Sequence, residues 1–178
     1  MSAEHIPVLA QRLEQLIAFP ANAVIVDATL GYGGHSRIFA DKLGAHGCLI
    51  GLDVDEKCLA KAEENLSGLK CKISLQKNNF ANITDAALNV GFDKVDFILA
   101  DLGWCSGQIL DIDKGMSFQN NMPLDMRLDR EIKTTAAELI NKLDEGNLAD
   151  LIYKYGEERA SRRIARFIVE YRTNQTIN

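Results

Sequence analysis

Up to Asp101 the chain alternates short apolar runs with helical patterns, and nothing else in its 178 residues restricts the fold as much. Ala23–Asp27 reads as a buried strand, and Leu30–Gly34 as a glycine-rich turn. A helix carrying Ile38, Phe39 and Leu43 follows and stops near Gly44. Cys48–Asp53 is a second strand, Glu56–Leu66 a second helix and Lys72–Gln76 a third strand. Ile83–Val90 is a third helix, ended by Gly91, and Val95–Asp101 a fourth strand. Strands alternating with helices of this length build β-α-β units, hence a parallel sheet covered on both faces. The expected class is α/β with a Rossmann-like core. The sheet is incomplete at four strands, where doubly wound folds commonly use more.

The pattern changes after Asp101. Residues 102–133 are rich in Gly, Asn, Asp and Met without a period, and read as a long loop. Beyond it the chain is all-helical. Thr135 and Glu138 have the spacing of a capping box. Apolar stripes follow at Ala136/Leu139/Ile140/Leu143, Leu148/Leu151/Ile152/Tyr155 and Ala160/Ile164/Phe167/Ile168/Tyr171. The organisation expected is therefore a partial core over 1–104, a substrate loop or linker over 105–133 and a helical segment over 134–178. Arg159, Arg162, Arg163 and Arg166 project opposite the last stripe at 100° per residue, either as a solvated face or as a nucleic-acid contact.

Composition is that of a globular protein, 47% apolar and 25% charged, which argues against disorder or a fibrous repeat. No apolar run reaches the ~20 residues of a membrane helix. The first residues lack a basic region followed by an apolar stretch, so a cytoplasmic, membrane-free protein is expected. The net charge of −5 argues against nucleic-acid binding over the whole surface. It is uneven, however: residues 1–129 hold 11 Lys/Arg against 17 Asp/Glu, and residues 130–178 hold 9 against 8. Cys48, Cys58, Cys71 and Cys105 form no Cys-x-x-Cys pair, so no metal site is expected and the thiols read as reduced.

Chemistry concentrates around Asp27-Ala-Thr-Leu-Gly31-Tyr-Gly33-Gly34-His35-Ser36. Against G-x-G-x-x-G the third glycine is replaced by Ser36. Asp53 ends the second strand 20 residues after Gly33, where a carboxylate can accept from both hydroxyls of a ribose. That suits a nucleoside cofactor, a dinucleotide or S-adenosylmethionine alike; a simpler role for Asp53 is to cap the helix near Asp55. Phe80 after the third strand could cover an adenine or fill the core. Asp101, at the carboxyl edge of the fourth strand, could hold a cofactor amine or accept a proton. Ser106 and Gln108 follow within reach of the same crevice.

The sequence resembles the ribosomal RNA small subunit methyltransferase H family. The matching blocks are His5–Leu9, Asp27–Arg37, Leu52–Asp55, Asp101–Gly103, Lys114–Phe118, Pro123–Asp129 and Tyr155–Arg159. The resemblance implies transfer of a methyl group from S-adenosylmethionine to N4 of a cytosine in 16S ribosomal RNA of the small subunit. It implies cofactor contacts from Gly33, Gly34, His35, Asp53, Phe80, Asp101 and Gln108. The helical region after residue 130 would be the family's inserted, RNA-binding domain. An exocyclic amine is a weak nucleophile, so the site must align it within ~3–3.5 Å of the methyl and accept a proton. Asp101 is the candidate catalytic residue, and the four arginines the candidate phosphate contacts.

Three residues depart from the family's usual Asp-Leu-Gly-Val-Ser-Ser-Pro-Gln: Trp104, Cys105 and Gly107 replace Val, Ser and Pro. Gly107 is expected to loosen the loop. The family's chains are also longer, and their later strands have no counterpart here. A non-catalytic cofactor- or RNA-binding relative is the alternative; a nicotinamide-dependent oxidoreductase is a third reading that the absent glycine disfavours. An unfinished sheet leaves an edge that a second copy or a covering chain would pair with.

Overall fold

The computed structural model describes residues 7–178, apart from the side chain of Ser106. His5 and Ile6 of the first matching block lie outside the described residues. The chain divides into a unit ending at Gly107 and a unit spanning Gln108–Asn178.

The first unit is built on four parallel strands, β1 (Val24–Asp27), β2 (Cys48–Asp53), β3 (Lys72–Lys77) and β4 (Phe97–Leu99), in the order β3-β2-β1-β4. β1 runs in register from Val24↔Cys48 to Asp27↔Gly51 against β2. β2 runs from Cys48↔Lys72 to Asp53↔Lys77 against β3. The two central strands are apolar and buried almost throughout, as strands covered on both faces must be. Alternate residues feed two cores. Ile25 and Leu49 pack with Phe39, Ala62 and Leu66 from α2 (Gly34–Ala40), from α3 (Glu56–Asn65) and from the residue after it. Val24, Val26, Ile50 and Leu52 pack with Ala86 and Ala87 of α4 (Ile83–Val90) on the other face.

β4 is shorter than the run Val95–Asp101 suggests. Asp96 meets β1 through both backbone and side chain, its amide donating to the Val24 carbonyl at 2.8 Å and its Oδ2 accepting from the Val24 amide at 2.7 Å. At the far end the Asp101 amide donates to Thr29 Oγ1 at 2.7 Å and leaves the ladder. A short helix, α1 (Ala10–Leu16), precedes the sheet. The reading of the sequence did not assign it, although Leu9, Leu13, Leu16 and Ile17 recur at helical spacing.

The second unit is helical, as expected. The stretch read as a long loop holds α5 (Ser106–Leu110), which begins at the end of the first unit, and a 3-10 turn at Ile112–Lys114. Both escape periodicity by being about one turn long. α6 (Ala136–Lys142) starts at the predicted capping box: Thr135 Oγ1 accepts from the Glu138 amide at 3.1 Å, and Glu138 Oε2 from the Thr135 amide at 3.2 Å. α7 (Glu145–Gly156) and α8 (Ser161–Arg172) pack through Leu148, Ala149 and Ala165.

The stripe on α8 needs correcting. Its buried side is Ser161, Ala165, Ile168 and Val169, whereas Phe167 and Tyr171 are more than half exposed. Arg172 explains the shift, since its guanidinium donates to the carbonyls of Ile140 and Leu143 and belongs to the inner side. Tyr155 is likewise exposed at the end of α7.

Candidate functional site

The carboxyl ends of β1 and β2 bring the glycine turn and Asp53 together. The Gly31 amide donates to Asp53 Oδ2 at 2.8 Å, and the Asp55 amide to Asp53 Oδ1 at 2.9 Å. Asp53 is thus not the cap of α3. That role falls to Asp55, whose Oδ1 accepts from the Lys57 amide at 3.0 Å. A carboxylate has about four acceptor sites, so these bonds leave capacity for a hydroxyl donor. Burial pushes the Asp53 carboxyl above its ordinary range, opposed by the bonds from Asp55 and Gly31.

The turn is fixed from beneath by Asp27, which is 2% exposed. Its Oδ1 accepts from the Thr29 amide at 3.1 Å and its Oδ2 from Ser36 Oγ at 2.7 Å. This explains the missing third glycine. Ser36 is fully buried and its hydroxyl satisfies a carboxylate that burial pushes above the ordinary range. Gly33 has φ +79°, and a Cβ there would lie 3.2 Å from Leu66 Cγ, so the position demands glycine on both backbone and packing grounds. Gly34 lies against Pro7, whose Cγ would be 2.6 Å from an added Cβ.

Asp101 and His35 meet at the same rim. His35 Nδ1 lies 3.7 Å from Asp101 Oδ2, and its Nε2 lies 2.8 Å from the Val8 carbonyl oxygen. His35 is buried while the Asp101 side chain is 48% exposed, so the carboxylate is the accessible member of the pair. Phe80 opens a 3-10 turn just after β3, capped by Asn79, and is half exposed. That exposure removes the core-aromatic reading.

The loop after β4 closes toward the turn. An added Cβ on Gly31 would meet Cys105 Cβ at 3.7 Å, and the Tyr32 hydroxyl rests against Gly107, 1.5 Å from where a Cβ would stand. Tyr32 fills the space that a proline ring at Gly107 would take. Trp104 is 57% exposed in the same segment. Gln108 is buried, but it belongs to the second unit. The described residues give two cavities elsewhere in the first unit. One of about 120 Å³ lies between α4 and β4, and one of about 620 Å³ beside α3 and β3.

In the second unit, Arg162, Arg163 and Arg166 are exposed on α8. Arg159 is exposed too, but it precedes the helix, which starts at Ser161. Arg166 lies 5.5 Å from the ring centre of exposed Phe167. Residues that sequence reasoning left without a role also emerge here. Asp125 accepts from Arg127 Nε at 2.6 Å and Nη2 at 2.8 Å, which holds its carboxyl below the usual range. Buried Lys114 donates to the Leu128 carbonyl at 3.2 Å, and the Met126 amide donates to the Lys114 carbonyl at 2.8 Å. These bonds tie the blocks Lys114–Phe118 and Pro123–Asp129 into one substructure. Asp-x-Arg spacing was the available signal. Among the described residues no group of three His, Cys, Asp or Glu side chains could hold a metal ion, and no helix is long and apolar enough to cross a membrane.

The family profile described as "MraW methylase family" matches residues 2–178. A protein of Solibacter usitatus is 44% identical over 168 residues, covering 94% of this chain and 58% of that one. Proteins of Geotalea daltonii and Brevibacillus brevis are each 40% identical, over 174 and 177 residues, covering 98% and 99% of this chain and 56% of theirs. All three are named Ribosomal RNA small subunit methyltransferase H. The chain spans little more than half the length of these curated relatives.

Proposed function

The chain belongs to the MraW methylase family, and from that premise we propose that it carries the cofactor site of an S-adenosylmethionine-dependent methyltransferase acting on N4 of a cytosine in 16S ribosomal RNA. The observation that carries this reading is the clasp between the Gly31 amide and Asp53 at the rim of β1 and β2. It leaves acceptor capacity on Asp53 beside a turn whose glycines carry no side chains of their own. Those are the needs of a ribose and its attached chain.

The donor set fits the cofactor. Asp53 would accept from the ribose hydroxyls, half-exposed Phe80 would cover the adenine, and Gly33, Gly34 and His35 would line the methionyl end. When bound, S-adenosylmethionine supplies an electrophilic sulfonium methyl. Asp101 supplies what the base lacks: its exposed carboxylate orients the exocyclic amine and accepts its proton, while His35 and Thr29 fix its position. Arg159, Arg162, Arg163 and Arg166 would hold RNA phosphates with salt-sensitive affinity, and Phe167 and Tyr171 offer exposed planes for unpaired bases. The partner is the small-subunit RNA, and the setting is the cytoplasm. The open side of β4 would take a second copy or a covering chain.

Calorimetric titration with S-adenosylmethionine, with NADH as comparison, tests the site. Saturable binding of S-adenosylmethionine that weakens at least tenfold in Asp53→Ala is expected; binding of NADH alone would overturn the reading. Transfer of labelled methyl to unmodified 16S RNA, lost in Asp101→Ala, tests the reaction. Undiminished transfer by that variant would remove Asp101 from its role.

A further inference from the structure

The loop after β4 and the first turn of α3 place two thiols face to face. Cys58 Sγ and Cys105 Sγ are 3.5 Å apart, 47 residues distant in sequence. Their surroundings differ. Cys58 is 1% exposed, whereas Cys105 is partly exposed beside the glycine turn. The sulfurs need approach by only roughly 1.5 Å to reach the ~2.05 Å of a bond. Cys105 sits in the loop after β4, two residues beyond Gly103, around which an added Cβ would meet nothing within 4 Å.

We propose that Cys58 and Cys105 are a modification site, a dithiol that small-molecule disulfides of the glutathione type convert reversibly into an intramolecular disulfide. Cys105 begins the exchange because the reagent reaches it and not Cys58. Its thiolate attacks one reagent sulfur, releasing one thiol and forming a mixed disulfide. Cys58 then attacks the Cys105 sulfur, its proton passing to the departing reagent thiolate, which leaves as the second thiol. Two protein S–H groups become one S–S bond, and one reagent S–S bond becomes two S–H groups. Cys58 is kept as a thiol until then, its acidity suppressed first by the hydrogen bond with Cys105 and then by burial. The link pins the segment bearing Trp104 to α3, across the mouth of the glycine turn. In a reducing compartment such a bond is transient and responsive rather than structural. Nothing in this inference depends on the proposed methyl transfer.

The chain carries its own reporter, because Trp104 is its only tryptophan. After treatment with oxidised glutathione, intact mass should fall by two hydrogens and unreduced digests should yield a peptide joining Cys58 to Cys105. Trp104 emission should shift and return with dithiothreitol. Cys105→Ser should lose both responses, and Cys58→Ser should stop at the glutathione adduct on Cys105. Buried Cys48 and Cys71 serve as internal controls. A wild-type chain that stays at the mixed adduct, that stays unmodified, or that links any other pair of cysteines would overturn the proposal.

Discussion

Asp27 shows how much one residue can organise. Its carboxylate is buried and accepts from Thr29 and Ser36, yet burial outweighs those bonds and raises its pKa above 3.8. A carboxyl raised on folding binds a proton more readily in the folded chain than in the unfolded one. Its contribution is complete below 3.8 and is lost as pH rises through the folded value. Denaturant titrations across the acid range should therefore show wild-type stability declining with pH, relative to Asp27→Asn, just above 3.8. A difference that grows with pH would mean the carboxylate is net stabilised by its bonds. Asp53 was legible in the sequence because position alone marked it. Its hold on Gly31 was not, because an interaction across 22 residues leaves no local trace.

Among the elements, long ones announced themselves and short ones did not. β1, β2 and β3 and helices α3, α4 and α7 follow from apolar runs and periodicity. β4 is overstated because at its ends side chains take over the bonding, with the Val24 amide held by Asp96 Oδ2 and the Asp101 amide turned to Thr29 Oγ1. α8 was found but turned, because Arg172, a charged residue, faces inward and Phe167, an apolar one, faces out. No hydropathy pattern anticipates that exchange. The capping box was read correctly because its chemistry is local. Replacing Thr135 by Ala should cost about 1 kcal/mol. Urea denaturation followed by circular dichroism would measure it, and an unchanged midpoint would show that α6 is held by packing alone.

For the whole molecule the informative contrast is between the two borders of the sheet. β3 carries Lys72 and Lys77 at its exposed ends, which discourages pairing with other chains. β4 presents Phe97-Ile98-Leu99 with no charge, and Ile98 is half exposed. Association should occur on the β4 side. Light scattering should find species heavier than the 19.7 kDa protomer, reduced by Ile98→Lys; equal masses for both proteins would place the contact elsewhere. The bond from Gly31 to Asp53 bears on energetics as well. It is made by the chain's own backbone and side chain, so on the reading proposed above the bend would have little ordering entropy to surrender on binding. On that reading scaffold and receptor would share one carboxylate, and a change at Asp53 is expected to be felt in melting as well as in affinity.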